Sequence, residues 1–376
     1  MKRYPAFDPP EYQNWVADPE LVDGFAARLR DDPERQAHVE AMSPDALLGL
    51  YRDLLLTRLQ DIGLKRWVKQ GVISKAWLGV GEEATTVGAV AALDAARDVV
   101  SPMIRNAGAC HMMGMPLEAT FRGYLATEDS PNGGRDLHIG DPAQGVIQPI
   151  SHMGTSVCIV AGAALAFKQR GEGRVALTWA GDGATKTAAC HEGLVLAREL
   201  AAPAIFVIQN NQVALGTRIE QHGAGRLEAW PDAYGMEAFT ADGNNVLDVY
   251  AATALARARC LEGAGPVMIL AQTFRMGGHA THDEREAREA FPPEWFKEWG
   301  KRDPVGLFEA YLAGRGFAEE ELAAIEKEAT DLVEAAAELA KESRDRLPDP
   351  RHAIYEGYAL DGVLEPLRAR LGTSRP

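Results

Sequence analysis

The chain has 376 residues, and its 54 acidic side chains against 39 basic ones give a formal net charge of −15. Nucleic acids and anionic membranes attract basic surfaces, so we expect neither as a partner. Hydrophobic residues make up 46% of the chain, enough for a sizeable core. No apolar run approaches the ~20 residues that cross a bilayer, and no hydrophobic signal core begins the chain, so we expect a cytoplasmic protein.

The first 42 residues are rich in Pro, Asp, Glu and Arg with weak periodicity, which indicates an arm that packs on something larger. The Ser-Pro-Asp sequence at 43–45 supplies a cap, a first-turn proline and an early carboxylate, the start signal of a helix. Leucines and other apolar residues follow at helical spacing until Gly71. We predict one long amphipathic helix here and a second helix over 82–93.

The middle of the chain alternates short apolar runs with helical segments, the pattern of a parallel sheet. Strands are predicted over 174–180, 204–209 and 266–272, and helical segments over 184–202, within 236–262 and over 317–342. Long polar loops are predicted over 128–150, 209–231 and 273–291. The predicted fold is α/β, a parallel sheet flanked by helices, divided into an N-terminal arm (1–42), a central domain (43–315) and a C-terminal helical extension (316–376).

Two polar motifs follow consecutive predicted strands, Gly-Asp-Gly at 181–183 and Asn-Asn at 210–211. Ligands of open parallel sheets bind beyond the carboxyl ends of the strands, so we expect the motifs to face each other. The glycines let the backbone approach an anion, and a helix starting near Ala184 would offer N–H groups to a phosphate. Because Asp182 would repel a phosphate, we expect Mg²⁺ between them, bound by oxygens of Asp182 and Asn211.

The distance between the two motifs makes them specific. Residues 184–209 separate them, 26 residues in all, and Gly-Asp-Gly followed at this distance by asparagine is the signature of thiamine diphosphate enzymes. Gly-Asp-Gly alone would be an ordinary tight turn, since glycine and aspartate are common in turns. The second motif favours the functional interpretation.

Further motifs occur in order along the chain. They are Gly81-Glu82-Glu83-Ala84, residues 134–139 (GRDLHI), residues 181–184 (GDGA), residues 209–211 (QNN), residues 242–244 (DGN), and residues 273–275 (TFR) leading to His279, Ala280 and Asp283. With these motifs the chain resembles, from about residue 43 to 311, the α subunit of the E1 component of 2-oxo acid dehydrogenase complexes. Members of this family are thiamine-dependent decarboxylases that act on pyruvate or branched-chain 2-oxo acids.

The resemblance implies roles for individual residues around the diphosphate and its metal ion. Asp182, Asn211 and the carbonyl of Val213 would ligate Mg²⁺. The diphosphate would be lined by Gly181, Gly183 and Ala184, with Gln209 nearby, and Arg105 matches the arginine of a Tyr-Arg pair that holds it.

At the other end of the cofactor, the resemblance implies that backbone groups of Ser151 and Met153 hold the aminopyrimidine. His279 matches the loop histidine near the reactive end, and His138 matches a histidine of the active-site loop. Both are candidate catalytic residues. The unperturbed histidine pKa of ~6.5 suits proton transfer in either direction.

Three positions differ from the family pattern. Ile104 replaces the tyrosine of the Tyr-Arg pair, and Val213 replaces an aromatic residue or arginine, so we expect weaker cofactor binding at most. Ala280 replaces the serine that mitochondrial relatives phosphorylate. We therefore expect no kinase control at that position.

The resemblance also implies partners. The glutamate that activates the cofactor belongs to a β chain in this family, and only 85 residues follow position 291 here, which leaves no room for a second cofactor-binding domain. We expect an α2β2 assembly with an E1 β subunit that decarboxylates a 2-oxo acid and passes the acyl group to the lipoyl domain of an E2 protein.

Several alternatives stay open at this point. An acetoin dehydrogenase α subunit has the same motifs, and a catalytically silent scaffold subunit is a non-enzyme alternative. The sequence over 79–84 also fits the G-x-G-x-x-A nicotinamide fingerprint, although two carboxylates there would oppose a pyrophosphate. His279, His282 and Asp283 could be zinc ligands, but the sequence indicates no fourth ligand.

Overall fold

The structure, a computed structural model, describes residues 1–351 except Asp31 and Ala224. The part of the predicted C-terminal extension beyond residue 351 lies outside the described residues. The helices are α1 Pro10–Gln13, α2 Pro19–Arg30, α3 Pro33–Glu40, α4 Pro44–Lys69, α5 Glu83–Ala91, α6 Gly108–Met112, α7 Leu117–Leu125, α8 Thr155–Arg170, α9 Ala188–Glu199, α10 Ile219–His222, α11 Trp230–Tyr234, α12 Val246–Leu261, α13 Glu284–Ala290, α14 Pro293–Gly300, α15 Pro304–Gly314 and α16 Glu319–Glu342. The strands are β1 Val99–Ser101, β2 Ala176–Gly181, β3 Ala204–Asn210, β4 Val213–Ala214, β5 Thr217–Arg218, β6 Glu237–Asp242 and β7 Val267–Gln272.

Five strands form one parallel sheet in the order β1-β2-β3-β7-β6, which confirms the predicted fold class. All three strands predicted from apolar runs are present, within two residues at each end. Every residue of β3 is buried, as expected where helices cover both faces of a parallel sheet. The short strands β4 and β5 pair antiparallel in a hairpin that follows the Asn-Asn motif.

Successive side chains of the central strands enter two different apolar layers. Leu177 and Ile205 pack with residues of α5, α6 and α12 on one face, while Phe206 and Ile208 pack with α8 and α9 on the other. This alternation keeps the sheet dry on both sides. Polar side chains are therefore confined to the strand ends, where the loops leave the sheet.

The long predicted helix is confirmed as α4. The Ser43 hydroxyl accepts a hydrogen bond from the amide of Ala46 at 3.2 Å, and Pro44 occupies the first helical position. Helix α16 lies against α4 and α7, and Arg66 of α4 forms a two-point ion pair with Glu334 at 2.6 and 2.7 Å. Among the described helices, none is both long and apolar enough to cross a membrane.

The N-terminal arm packs on the sheet domain, as predicted, but it contains three helices that its weak periodicity did not indicate. Arg28 of α2 and Arg35 of α3 both bind the carboxylate of Asp248, at 3.0 and 2.5 Å. Asp248 is fully buried at the start of α12. The arm is therefore anchored by charge pairs that no local pattern could predict.

Two predicted segments differ in detail. The helix expected near Ala184 starts later, because residues 184–186 form a single 3₁₀ turn and α9 begins only at Ala188, capped by the Thr187 hydroxyl. The predicted polar loop over 273–291 is irregular only at its start, since a 3₁₀ turn at 281–283 leads into α13. In addition, Arg275 in this segment is 1% exposed and so is not a surface residue.

Candidate functional site

The two motifs meet at the carboxyl edge of the sheet, as the sequence predicted. Gly181 ends β2 and lies opposite Gln209 of β3, so Asp182 and Asn211 leave neighbouring strands at the same edge. They line one cavity of about 330 Å³. Its other walls are Gly181, Gly183, Ala184, Val213, Ala214, Leu215, Met103, Arg105, Met153, Arg275 and His279.

Asp182 is a buried carboxylate, 1% exposed, beside this cavity. Burial raises its pKa, which the His222 imidazole and the Gly183 amide counteract and the negative charge of Glu82 reinforces. In the described part of the chain, no three His, Cys, Asp or Glu side chains converge on a metal site. The donors around the cavity are instead a single carboxylate, the carboxamide of Asn211 and the backbone of Val213, a hard oxygen set that fits Mg²⁺.

A buried carboxylate, Glu82, organises the polar side chains below the cavity. It is 1% exposed and accepts hydrogen bonds from Gln209 Nε2, from Asn211 Nδ2 at 2.8 Å and from Arg105 Nη1 at 3.2 Å. A carboxylate can only accept, so the amide nitrogen of Asn211 must face Glu82 and its carboxamide oxygen must face the other way. Gln209 is held in turn by Asn106, whose Nδ2 donates to Gln209 Oε1 at 2.9 Å.

Two buried guanidinium groups give the cavity positive charge. Arg105 donates to the carbonyl of Leu78 at 2.9 Å and to that of His279 at 3.3 Å. Arg275 donates to the carbonyl of Leu215 at 2.7 Å, and burial together with Arg105 lowers its pKa to about 10. The arrangement can therefore bind an anion.

His279 lies beside these cations, with its Nδ1 3.5 Å from Arg105 Nη2. Burial lowers its pKa to about 4, and the charges of Arg105 and Arg275 lower it further in the same direction. The expected pKa of ~6.5 was wrong for this environment, since the sequence gives no measure of burial or of nearby cations. His279 is neutral near pH 7 in the chain by itself.

A second cavity of about 240 Å³ adjoins the first and shares Met103, Arg105, Met153, Ala184 and His279 with it. Ser151, His138 and Ile104 line this part, and the indole of Trp77 adds an apolar wall. His138 Nδ1 lies 2.7 Å from Asp136 Oδ2, and its Nε2 lies 3.4 Å from Ser151 Oγ. The two cavities together form one groove, with the phosphate-type motifs at one end and His138 at the other.

All the predicted site residues line this groove except Gln209, which is fully buried beneath it. Sequence reasoning missed Glu82, Asn106 and Arg275 as parts of the network, and it took His222 for an ordinary packing or surface histidine. The only local signal for Glu82 was an acidic residue before a helix of small apolar residues. Nothing in the sequence pattern pointed to His222.

Two alternatives fail on geometry. The residues before Gly81 are not a strand, and both Glu82 and Glu83 are buried in ion pairs with arginines, so 79–84 is not a nicotinamide fingerprint. Asp283 accepts hydrogen bonds from the amides of His279 and Ala280 at the start of the 3₁₀ turn. His282 is exposed, and the zinc site considered for these residues is not formed in the described part of the chain.

Fold and site together define an α/β protein that binds an anionic ligand at the carboxyl edge of a parallel sheet, beside a carboxylate suited to a cation. A sequence model of the dehydrogenase E1 component matches residues 51–348, and the chain belongs to that family. The resemblance drawn from the motifs is thereby confirmed.

Relatives in this family are α subunits. The pyruvate dehydrogenase E1 component subunit alpha of Bacillus cereus is 31% identical over 330 residues, which cover 85% of each chain. The protein of the same description from Bacillus subtilis is 32% identical over 332 residues, again 85% of each chain. The mitochondrial 2-oxoisovalerate dehydrogenase subunit alpha of Mus musculus is 31% identical over 294 residues, 77% of this chain and 65% of the relative. The chain is an E1 α-type dehydrogenase subunit.

Proposed function

We propose that this chain holds the diphosphate end of thiamine diphosphate with Mg²⁺ and, with an E1 β subunit, decarboxylates pyruvate or a branched-chain 2-oxo acid. The acyl group then passes to the lipoyl domain of an E2 protein. The observation that carries the proposal is the single cavity in which Asp182, Asn211, Gly183 and Arg105 meet. The names of the relatives, pyruvate and 2-oxoisovalerate dehydrogenase subunits, support the substrate class.

The diphosphate is assigned to the cavity lined by Gly181, Gly183 and Ala184. A Cβ on Gly183 would lie 2.6 Å from the Cβ of Ala214, so only glycine lets these two backbone segments come so close. Arg105 and Arg275 supply the charge that attracts the anion. Because their positive charge lowers the pKa of His279, a bound diphosphate would raise that pKa again.

The Mg²⁺ ion is assigned to Asp182, Asn211 and the carbonyl of Val213. Glu82 turns the carboxamide oxygen of Asn211 away from itself and thus leaves it available to a cation. The ion would neutralise the buried Asp182 carboxylate, whose raised pKa reports how poorly it is solvated.

The aminopyrimidine is assigned to backbone groups at Ser151 and Met153, with His279 and His138 beside the reacting atoms. When bound, thiamine diphosphate supplies the carbanion chemistry that removes carbon dioxide from a 2-oxo acid. Neutral His279 can accept a proton, and the Asp136 carboxylate orients His138 through its Nδ1.

The β subunit is assigned to the open side of the groove. Met153 and Leu215 are 50% and 61% exposed there, and Ile150 is also exposed. Large apolar side chains around a ligand groove are typical of a surface that a partner covers. An interface at this place would complete the groove and exclude water from it.

The test is a calorimetric titration of the α/β complex, co-expressed, with thiamine diphosphate and Mg²⁺. We expect saturable binding that Asp182→Asn abolishes, while Asp232→Asn, an exposed aspartate in α11, leaves it unchanged. Decarboxylation rates over a panel of 2-oxo acids and acetoin then identify the substrate. Absence of saturable binding would favour a scaffold subunit, and turnover of acetoin alone would favour the acetoin-cleaving relatives.

A further inference from the structure

His222 reaches the cation side of the site from a loop that the signature motifs do not include. It ends α10, and its Nε2 lies 3.1 Å from Asp182 Oδ2. The side chain is 13% exposed. Its other ring nitrogen, Nδ1, is buried and has no hydrogen-bond partner among the described residues. Asp182 is thus the polar group that this imidazole contacts.

The distance between these two atoms is the distance between neighbouring ligands of one ion. Ligands about 2.1 Å from an octahedral ion lie about 3.0 Å apart when they occupy adjacent positions. A third cavity, of about 200 Å³, lies beside the pair and is lined by Asp182, Asn210, Thr185 and His222. The imidazole therefore has room to turn its Nε2 lone pair toward an ion held by Asp182.

The coordination sphere assigned to Mg²⁺ has one position that the chain does not account for. Asp182, Asn211, the carbonyl of Val213 and two phosphate oxygens supply five ligands, and water is the usual sixth for this hard ion. We propose that His222 supplies the sixth ligand of the ion in this protein, an imidazole nitrogen in place of the water. The proposal rests on the proposed function, since it assumes that the diphosphate and its ion bind at Asp182.

An imidazole ligand changes which ion the site prefers. Carboxylate, carbonyl and water suit Mg²⁺, whereas imidazole favours later first-row ions such as Co²⁺ and Ni²⁺. Thiamine diphosphate should therefore bind more tightly to the α/β complex with Co²⁺ than with Mg²⁺. Removal of the imidazole should abolish that preference and leave Mg²⁺-supported binding nearly unchanged, because water can take the vacated position.

The experiment measures thiamine diphosphate affinity in the co-expressed α/β complex with Mg²⁺ or Co²⁺ as the only divalent ion. Three variants are compared with the unaltered complex: His222→Ala, His222→Gln, which keeps a hydrogen-bond donor to Asp182, and His38→Ala on arm helix α3 as a distant control. We expect the ratio of Co²⁺-supported to Mg²⁺-supported affinity to fall about tenfold in both His222 variants, at the lower end of typical losses for groups that tune a metal site. It should be unchanged in His38→Ala.

Pulsed electron paramagnetic resonance of the Mn²⁺ complex provides a readout that does not depend on affinity. An imidazole ligand gives a nitrogen coupling to Mn²⁺ that should be present in the unaltered complex and in His38→Ala, and absent in both His222 variants. If thiamine diphosphate binds but that coupling is missing and the affinity ratio is the same in all variants, the proposal is wrong while the proposed function stands. If thiamine diphosphate binds with none of the ions, both are overturned.

Discussion

Replacement of Glu82 by alanine should separate the site from the rest of the fold. The carboxylate receives hydrogen bonds from Gln209, Asn211 and Arg105 in a region with almost no solvent access. Alanine leaves all three donors without their acceptor. The orientation of the Asn211 carboxamide, which Glu82 determines, would be lost together with the position of the Arg105 guanidinium.

The size of the effect follows from these contacts. Removal of one partner from a buried ion pair costs about 3–5 kcal/mol, because it leaves an uncompensated buried charge. The Arg105–Glu82 pair has side chains that are 7% and 1% exposed, so this range applies. Water entering the truncated space would reduce the loss. We therefore expect the free energy of unfolding to fall by about 3 kcal/mol, near the lower end of that range.

The neighbouring Glu83 offers a matched control. It is also 1% exposed and also paired with an arginine, Arg58, but that pair lies away from the groove, with Asp303 as the second partner of Arg58. Glu83→Ala should reduce stability by a comparable amount and leave the affinity of the α/β complex for thiamine diphosphate and Mg²⁺ unchanged. Glu82→Ala should weaken that affinity at least about tenfold, equivalent to about 1.4 kcal/mol.

Urea denaturation measures the first quantity and calorimetric titration the second. Glu82→Gln refines the comparison, since its side-chain oxygen can still accept from Gln209 and Asn211 and only the contact with Arg105 is lost. Its affinity should lie between that of Glu82→Ala and that of the unaltered protein. Equal losses of affinity in Glu82→Ala and Glu83→Ala would refute the reasoning, because the loss would then come from general destabilisation.

Three further predictions test other parts of the site and core. Gly183→Ala should weaken thiamine diphosphate binding about tenfold, because its Cβ would lie 2.6 Å from the Cβ of Ala214; calorimetry showing full affinity would contradict this close approach. Arg105→Leu should move the pKa of His279 up from about 4 toward ~6.5, as followed by the histidine signals in NMR, because a neighbouring cation is removed; no change would mean that burial alone sets this pKa. Burial also lowers the pKa of His111 to about 4, so the unfolded chain binds a proton below pH ~6.5 that the folded chain does not bind until about pH 4, and stability falls across this window. His111→Leu should reduce that fall in urea denaturation at pH 7 and pH 5, and an identical pH dependence would show that other groups cause it.

Much of the fold could be predicted because local patterns suffice for it. The strands of a covered parallel sheet are continuous apolar runs, and β3 is such a run, buried at every residue. The cap at Ser43 determines where α4 begins, through a contact only three residues long. By contrast, the arm helices are held by Asp248, more than 200 residues away along the chain, and composition alone showed only that the arm packs on something.

The sequence by itself determined the α/β class, the order of the strands that carry Asp182 and Asn211, and the family, because motif spacing and apolar periodicity are properties of short segments. Only the tertiary structure decided that Glu82 binds Gln209, 127 residues away, that His222 meets Asp182, and that His279 is neutral. These results depend on distance and on exclusion of water, and neither exists until the chain has folded.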